Sequence, residues 1–201
     1  ISSREMANIF SNTGNYAKAL EYYNKSEKIF KEIDYQKGIG NARHDRSWIY
    51  WYKGDYDKVL KDREYALFKF EEAGYKWGIG LAMLTLSAFH FNTGNLTLAL
   101  DFVKKSSKIY KDIGAVTFKS SILQQLGLIY LYLDENDKAV ECFDSLLSYV
   151  KKADKNAFST NIEFATLLLY LSYKKIGKKY DKKEISKLYN PGVDYAYPYY
   201  E

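Results

Sequence analysis

Few residues of this chain are suited to covalent or metal chemistry. His44 and His90 are the two histidines and Cys142 is the single cysteine. A protein metal site gathers three or four imidazole, thiolate or carboxylate ligands. Two histidines at different places in the chain, without clustered acids or further cysteines, do not supply that set. No Ser-His-Asp or Cys-His order with a local nucleophile signature occurs either. Gly38-Ile39-Gly40 and Gly78-Ile79-Gly80 look like the start of a phosphate loop, but such a loop needs a preceding strand and a third glycine. Their expected role is to let helices approach closely. Asn24-Lys25-Ser26 and Asn95-Leu96-Thr97 match the glycosylation triplet, but fall within a predicted helix or at its cap. No catalytic residue, metal or cofactor is therefore expected, and the chain reads as non-enzymatic. What remains is recognition. Trp48 and Trp51, three residues apart, are large aromatics of the kind that anchor interfaces at low entropic cost. The alternative is that they pack against neighbouring helices; binding is the expectation taken forward.

The composition supports a helical scaffold for these residues. The chain has 201 residues, 47% hydrophobic and 27% charged, with 21 Tyr and only 2 Pro. Proline breaks the helical hydrogen-bond ladder, and both prolines, Pro191 and Pro198, lie near the end. The longest apolar run, Ala165 to Leu171, is too short to span a bilayer. A lone cysteine forms no intrachain disulfide, which favours a reducing compartment and a cytoplasmic location. The first residues, Ile-Ser-Ser-Arg, show no signal-peptide pattern, and the chain reads as a processed chain or a piece of something longer. The net charge of +5 is uneven: from Lys151 to Lys187 ten lysines face four acids, and the rest is nearly neutral.

The organising feature is an internal repeat, which has to be found before any other reading of the fold. Thr13-Gly14-Asn15-Tyr16-Ala17-Lys18-Ala19-Leu20 returns 40 residues later as Lys53-Gly54-Asp55-Tyr56-Asp57-Lys58-Val59-Leu60, and after another 40 as Thr93-Gly94-Asn95-Leu96-Thr97-Leu98-Ala99-Leu100. A fourth copy, from Leu133 to Val140, keeps the phase without the glycine. Phe30, Phe70 and Tyr110 hold the same spacing, with Val150 next. Apolar residues at helical spacing precede and follow each glycine, so each repeat is predicted to be two helices joined by a tight turn. The glycine suits a left-handed helix end, and the Asn or Asp after it a cap for the next helix. Small residues mark the predicted close approach: Ala7, Ser47, Ser87 and Gly127 in first helices, Ala19, Val59, Ala99 and Ala139 in second helices.

Ala7, Phe10, Gly14, Tyr16, Ala19 and Tyr23, followed by Tyr50, Gly54, Tyr56 and Ala66, make this chain resemble the tetratricopeptide repeat. The match is good over residues 1–150 and looser to about 189. It departs in its period, longer than the usual ~34 residues, and in Arg46, Arg63, Val103 and Asn136, which replace apolar or aromatic residues. A 40-residue period resembles the subclass found in bacterial peptide-sensing regulators and some eukaryotic scaffold proteins. The resemblance implies an all-α, right-handed superhelical solenoid of antiparallel helix pairs, about four and a half repeats plus a capping helix. The repeats would occupy about 1–36, 37–76, 77–116, 117–155 and 156–189. Residues 180–189 read as the cap, with Ile185, Leu188 and Tyr189 on one face, and 190–201 as an irregular tail.

The resemblance also implies a concave groove lined by first helices. Its lining would be Arg4, Asn8 and Ser11; then Asn41, His44, Asp45, Trp48, Trp51 and Tyr52; then Leu84, Ala88 and Phe91; then Gln124, Leu128 and Leu131. Chaperone-type members grip a C-terminal carboxylate with Lys, Arg and Asn. Here Asp45 stands where Asn would be expected, and Leu81 and Thr85 where Lys and Arg would be, so that clamp is not expected. The groove is polar at Arg4 and Asn8 and apolar from Trp48 onward, which suits an extended or helical protein segment with hydrophobic anchors. The module would then be the sensor or docking part of a larger regulatory protein. The competing reading is an anionic surface or nucleic acid held by the Lys-rich end, where Tyr173, Tyr180 and Tyr189 interleave with lysines; a solvated outer face is the preferred account of that end, so nucleic acid is not the expected partner.

Overall fold

The computed structural model describes residues 2–153, 159–175 and 177. Every regular element among them is a helix: α1 (Ser3–Asn12), α2 (Tyr16–Glu32), α3 (Gln36–Tyr52), α4 (Tyr56–Glu72), α5 (Lys76–Asn92), α6 (Leu96–Asp112), α7 (Lys119–Tyr132), α8 (Asn136–Ala153) and α9 (Ser159–Lys175). The fold is all-α and built from helix pairs, as the period predicts. The cap at 180–189, the tail at 190–201 and much of the Lys-rich end lie outside the described residues. None of the described helices is long and apolar enough to cross a membrane.

The turns form for the reason the sequence implies. At the end of α1, Gly14 has φ +75°. The Asn15 amide donates to the Phe10 carbonyl at 2.8 Å and the Gly14 amide to Ser11 at 3.0 Å, the paired bonds that close a helix over a left-handed residue. In the fourth copy, where the glycine is lost, Asp134 takes the same left-handed conformation at φ +59°. The following cap works in two of three copies. Asn15 accepts from the Lys18 amide and Asp55 from the Lys58 amide, while Asn95 makes no side-chain cap bond.

The chain divides into two compact units, Ile1–Ile122 and Leu123–Glu201. In the first, α1 to α6 pair in order, and α2 packs on α3 and α4 on α5 to join successive pairs. All the small residues predicted at close approaches there, Ala7, Ala19, Ser47, Val59, Ser87 and Ala99, are fully buried. The Gly-Ile-Gly segments make room for aromatics: a Cβ added at Gly40 would lie 2.6 Å from the Phe70 ring, and one at Gly80 2.9 Å from Tyr110. Phe70, fully buried with Ala66, Ile79 and Ala82, thus packs on backbone rather than on a side chain. In the second unit Phe143 meets Gly127 in the same way. It belongs to a core with Ala139, Leu146, Leu147, Val150, Leu168 and Leu169.

Candidate binding groove and two buried arginines

The first helices of the first unit lie side by side, α3 touching both α1 and α5. Across α1 and α3, Arg4 Nε donates to Asp45 Oδ2 at 2.8 Å, with both side chains partly exposed. Asn8 is half-buried and its Oδ1 accepts from the Tyr23 hydroxyl at 2.5 Å. Ser11 and Asn41 are half-buried. His44 is buried, its Nδ1 3.5 Å from Asp45 Oδ1 and its Nε2 without a hydrogen-bond partner.

The two tryptophans separate. Trp48 is 38% exposed and meets the His44 ring edge-on at 6.5 Å. Trp51 is half-buried, with its ring 5.4 Å from Tyr56 and 6.4 Å from Phe89. Trp51 therefore holds α3, α4 and α5 together, the packing alternative, and Trp48 presents surface. Tyr52 is exposed and stacks flat on Tyr16 at 6.0 Å. Leu84 is a buried core residue, and Ala88 and Phe91 are half-buried. Gln124, Leu128 and Leu131 belong to the second unit and are half-buried there, the two leucines packed on its core.

Arg46 and Arg63 depart from the repeat pattern in sequence, and in the structure each has its own surroundings. Arg46 stands in a column with Met6, Leu86 and Leu126, and Arg63 with Tyr23, Val103 and Phe143. Both are buried. Arg46 grips Asp62 with two parallel bonds, Nε to Oδ2 and Nη2 to Oδ1, each 2.7 Å. Its Nη1 reaches Asn24, and Glu27 at 3.2 Å. Arg43 closes the network, bonding Asp62 and Glu27 at 2.7 Å each, and Lys31 bonds Glu27 at 2.7 Å. Burial alone would lower the Arg46 pKa, but the hydrogen bonds and charge of Asp62 outweigh it and hold the group above its ordinary value. Burial likewise opposes ionisation of Glu27, yet Lys31 and Arg43 keep its carboxyl below the usual range.

Arg63 has no such company. It is 1% exposed, its Nη1 donates to the Thr85 carbonyl at 2.7 Å, and its Nε lies 3.4 Å from Ser47 Oγ. The guanidinium lies over the rings of Trp48 at 4.9 Å and Trp51 at 5.3 Å, two cation–π contacts. No carboxylate pairs with it among the described residues, and burial pulls its pKa down to about 10. A value of about 10 keeps the group charged at neutral pH, with no acid paired to it among the described residues.

No group of three or more His, Cys, Asp or Glu that could hold a metal occurs among the described residues. Burial pushes the Cys142 thiol up to about 11, so it carries little thiolate at neutral pH. His90 takes the place of the aromatics Phe10, Tyr50 and Tyr130. It stacks flat on Phe102 at 5.5 Å and meets Phe89 edge-on. Burial lowers its pKa.

Models of the tetratricopeptide repeat match residues 1–61 and 120–149. Both segments are tetratricopeptide repeats, and the chain has the fold of that superfamily. Among solved structures it is similar to BtubC (BKLC) from P. vanneervenii, with a TM-score of 0.79 and 15% identity over 90% of this chain and 73% of that one. It is also similar to a signal transduction ATPase with numerous domains that has a tetratricopeptide repeat sensor, from Pyrococcus horikoshii. There the TM-score is 0.76 and the identity 18%, over 92% of this chain and 28% of that one. A putative kinesin light chain from Podosopora anserina with nearly identical repeats gives 0.70 and 13%, over 92% and 89%. Identities this low speak for the tetratricopeptide-repeat fold alone. No curated protein matches the sequence.

Proposed function

We propose that this tetratricopeptide-repeat chain is a non-enzymatic interaction module that holds an extended or helical segment of a partner protein against α1, α3 and α5. Trp48 is the principal anchor, with Asn8, Asp45 and Tyr52 beside it. The observation that carries this reading is Trp48 itself: a large ring on a first helix, 38% exposed while its neighbour Trp51 is packed away. Its backing is firm, since Arg63 and His44 fix one side of the ring. A rigid aromatic on a pre-organised surface loses little entropy on binding. The absence of a catalytic constellation in the sequence supports the non-enzymatic part. A sensor or docking role within a larger protein agrees with the likeness to the repeat sensor of the Pyrococcus ATPase.

The test is selection from a display library of random 12-residue peptides on the intact chain. Trp48→Ala is expected to abolish recovery of the selected peptides, or weaken their binding by about 2 kcal/mol, while helicity measured by circular dichroism stays unchanged. Undiminished binding to a folded Trp48→Ala chain would move the binding surface elsewhere.

A further inference from the structure

Arg63 starts on α4 but ends between α3 and α5, bonded to Thr85 of one and close to Ser47 of the other. The acids of the three helices leave it unpaired. Asp45, the only acid of α3, is bonded to Arg4. The buried acid of α4, Asp62, is bonded to Arg43 and Arg46. The other α4 acids, Asp57, Glu64, Glu71 and Glu72, are exposed, and α5 contains no acid. A charge in a low-dielectric layer is weakly screened, so its field reaches the nearest water with little loss. Trp48 covers Arg63, and it is exposed. The positive field therefore emerges where the proposed anchor lies.

We propose that Arg63, beneath Trp48, is the subsite for one carboxylate of the bound segment, an Asp or Glu side chain flanked by a large apolar residue. The partner segment is then acidic and apolar, not basic. The Trp48 ring lies between the guanidinium and water, and the carboxylate sits at the edge of that ring, above the buried charge. This inference rests on the groove reading above and narrows it.

The test compares peptides selected on the intact chain with their binding to Arg63→Met, Arg63→Lys and Trp48→Ala. Selected peptides are expected to carry Asp or Glu next to a large apolar residue. Changing that acid to its amide is expected to cost about tenfold in affinity on the original chain and nothing on Arg63→Met, the signature of a direct coupling. Arg63→Lys, assayed at about pH 6 where a buried ammonium holds its proton better, is expected to retain most of the tenfold, and it separates loss of charge from loss of structure. Peptides without acidic enrichment, or an equal loss on both chains, would overturn the carboxylate subsite while dependence on Trp48 kept the groove. Binding that ignores Trp48→Ala, or recovery of no peptide at all, would overturn both.

Discussion

Arg46 and Arg63 sit one helix apart, both buried, both in columns that the other repeats fill with apolar or aromatic residues. Arg46 is enclosed by Asp62, Glu27 and Asn24, and its charge is cancelled where it lies. Arg63 meets a carbonyl, a hydroxyl and two indoles, none of which carries a negative charge. The difference separates two uses of a buried cation. Placed against acids from α2 and α4, it ties α2, α3 and α4 into one register, because removing any member leaves the remaining buried charges out of balance. Left without an acid, it adds no such tie and raises the cost of folding, so its presence under an exposed tryptophan is better explained by what it offers to a partner.

The largest effect expected from breaking this comparison is on the Asp62 side. Asp62→Ala leaves Arg46 and Arg43 with Glu27 alone and is expected to lower stability by about 3–5 kcal/mol, read as a fall in the urea midpoint with the slope unchanged. The corresponding loss on the apolar side, Phe70→Ala, is expected to cost a similar ~3–5 kcal/mol, because a fully buried ring packed on glycine backbone leaves a cavity that helices cannot close.

A smaller effect comes from pH. Burial against Phe89 and Phe102 favours the neutral form of His90 and sets its folded pKa below the ordinary 6.5. The unfolded chain then binds the proton first. Stability is complete above about pH 6.5 and falls as the pH drops through the folded value. His90→Phe is expected to flatten that part of the curve. The contribution of Glu27, whose folded pKa is below 4.5, is intact above about pH 4.5 and is lost only as the pH falls further, through that folded value. Denaturant midpoints from pH 7.5 to 2 separate the two windows. The smallest effect concerns the turns. Asn15→Ala removes a cap bond and is expected to cost about 1 kcal/mol, whereas Asn95→Ala, at a cap with no such bond, should cost less.

The helix pairs could be read from residue spacing because the features that make them are local. Gly14, Gly54 and Gly94 end helices by their own backbone freedom, and Ala7, Ser47 and Ser87 declare a close contact by their size. The candidate site was legible only in part. Trp48 and Trp51 look alike in the sequence, and their fates diverge because Tyr56 and Phe89, from other helices, enclose one of them. Leu84 fits a groove pattern, yet it is buried in the core. The charged columns at Arg46 and Arg63 are visible in the repeat, but not which of them finds an acid. Asp62 precedes Arg63 in the chain and faces Arg43 and Arg46 instead. Direction around a helix, together with the placement of the next pair, decides that pairing.

The most direct test of the contrast is the stability of Arg46→Met and Arg63→Met measured side by side by urea denaturation at neutral pH. Arg46→Met is expected to destabilise by about 3 kcal/mol, since it leaves the buried Asp62 with Arg43 as its one cation and Glu27 with one arginine fewer. Arg63→Met is expected to leave stability unchanged or raise it, since no acid loses a partner. An equal and large loss in both variants would contradict the account, showing that Arg63 is as much a structural tie as Arg46.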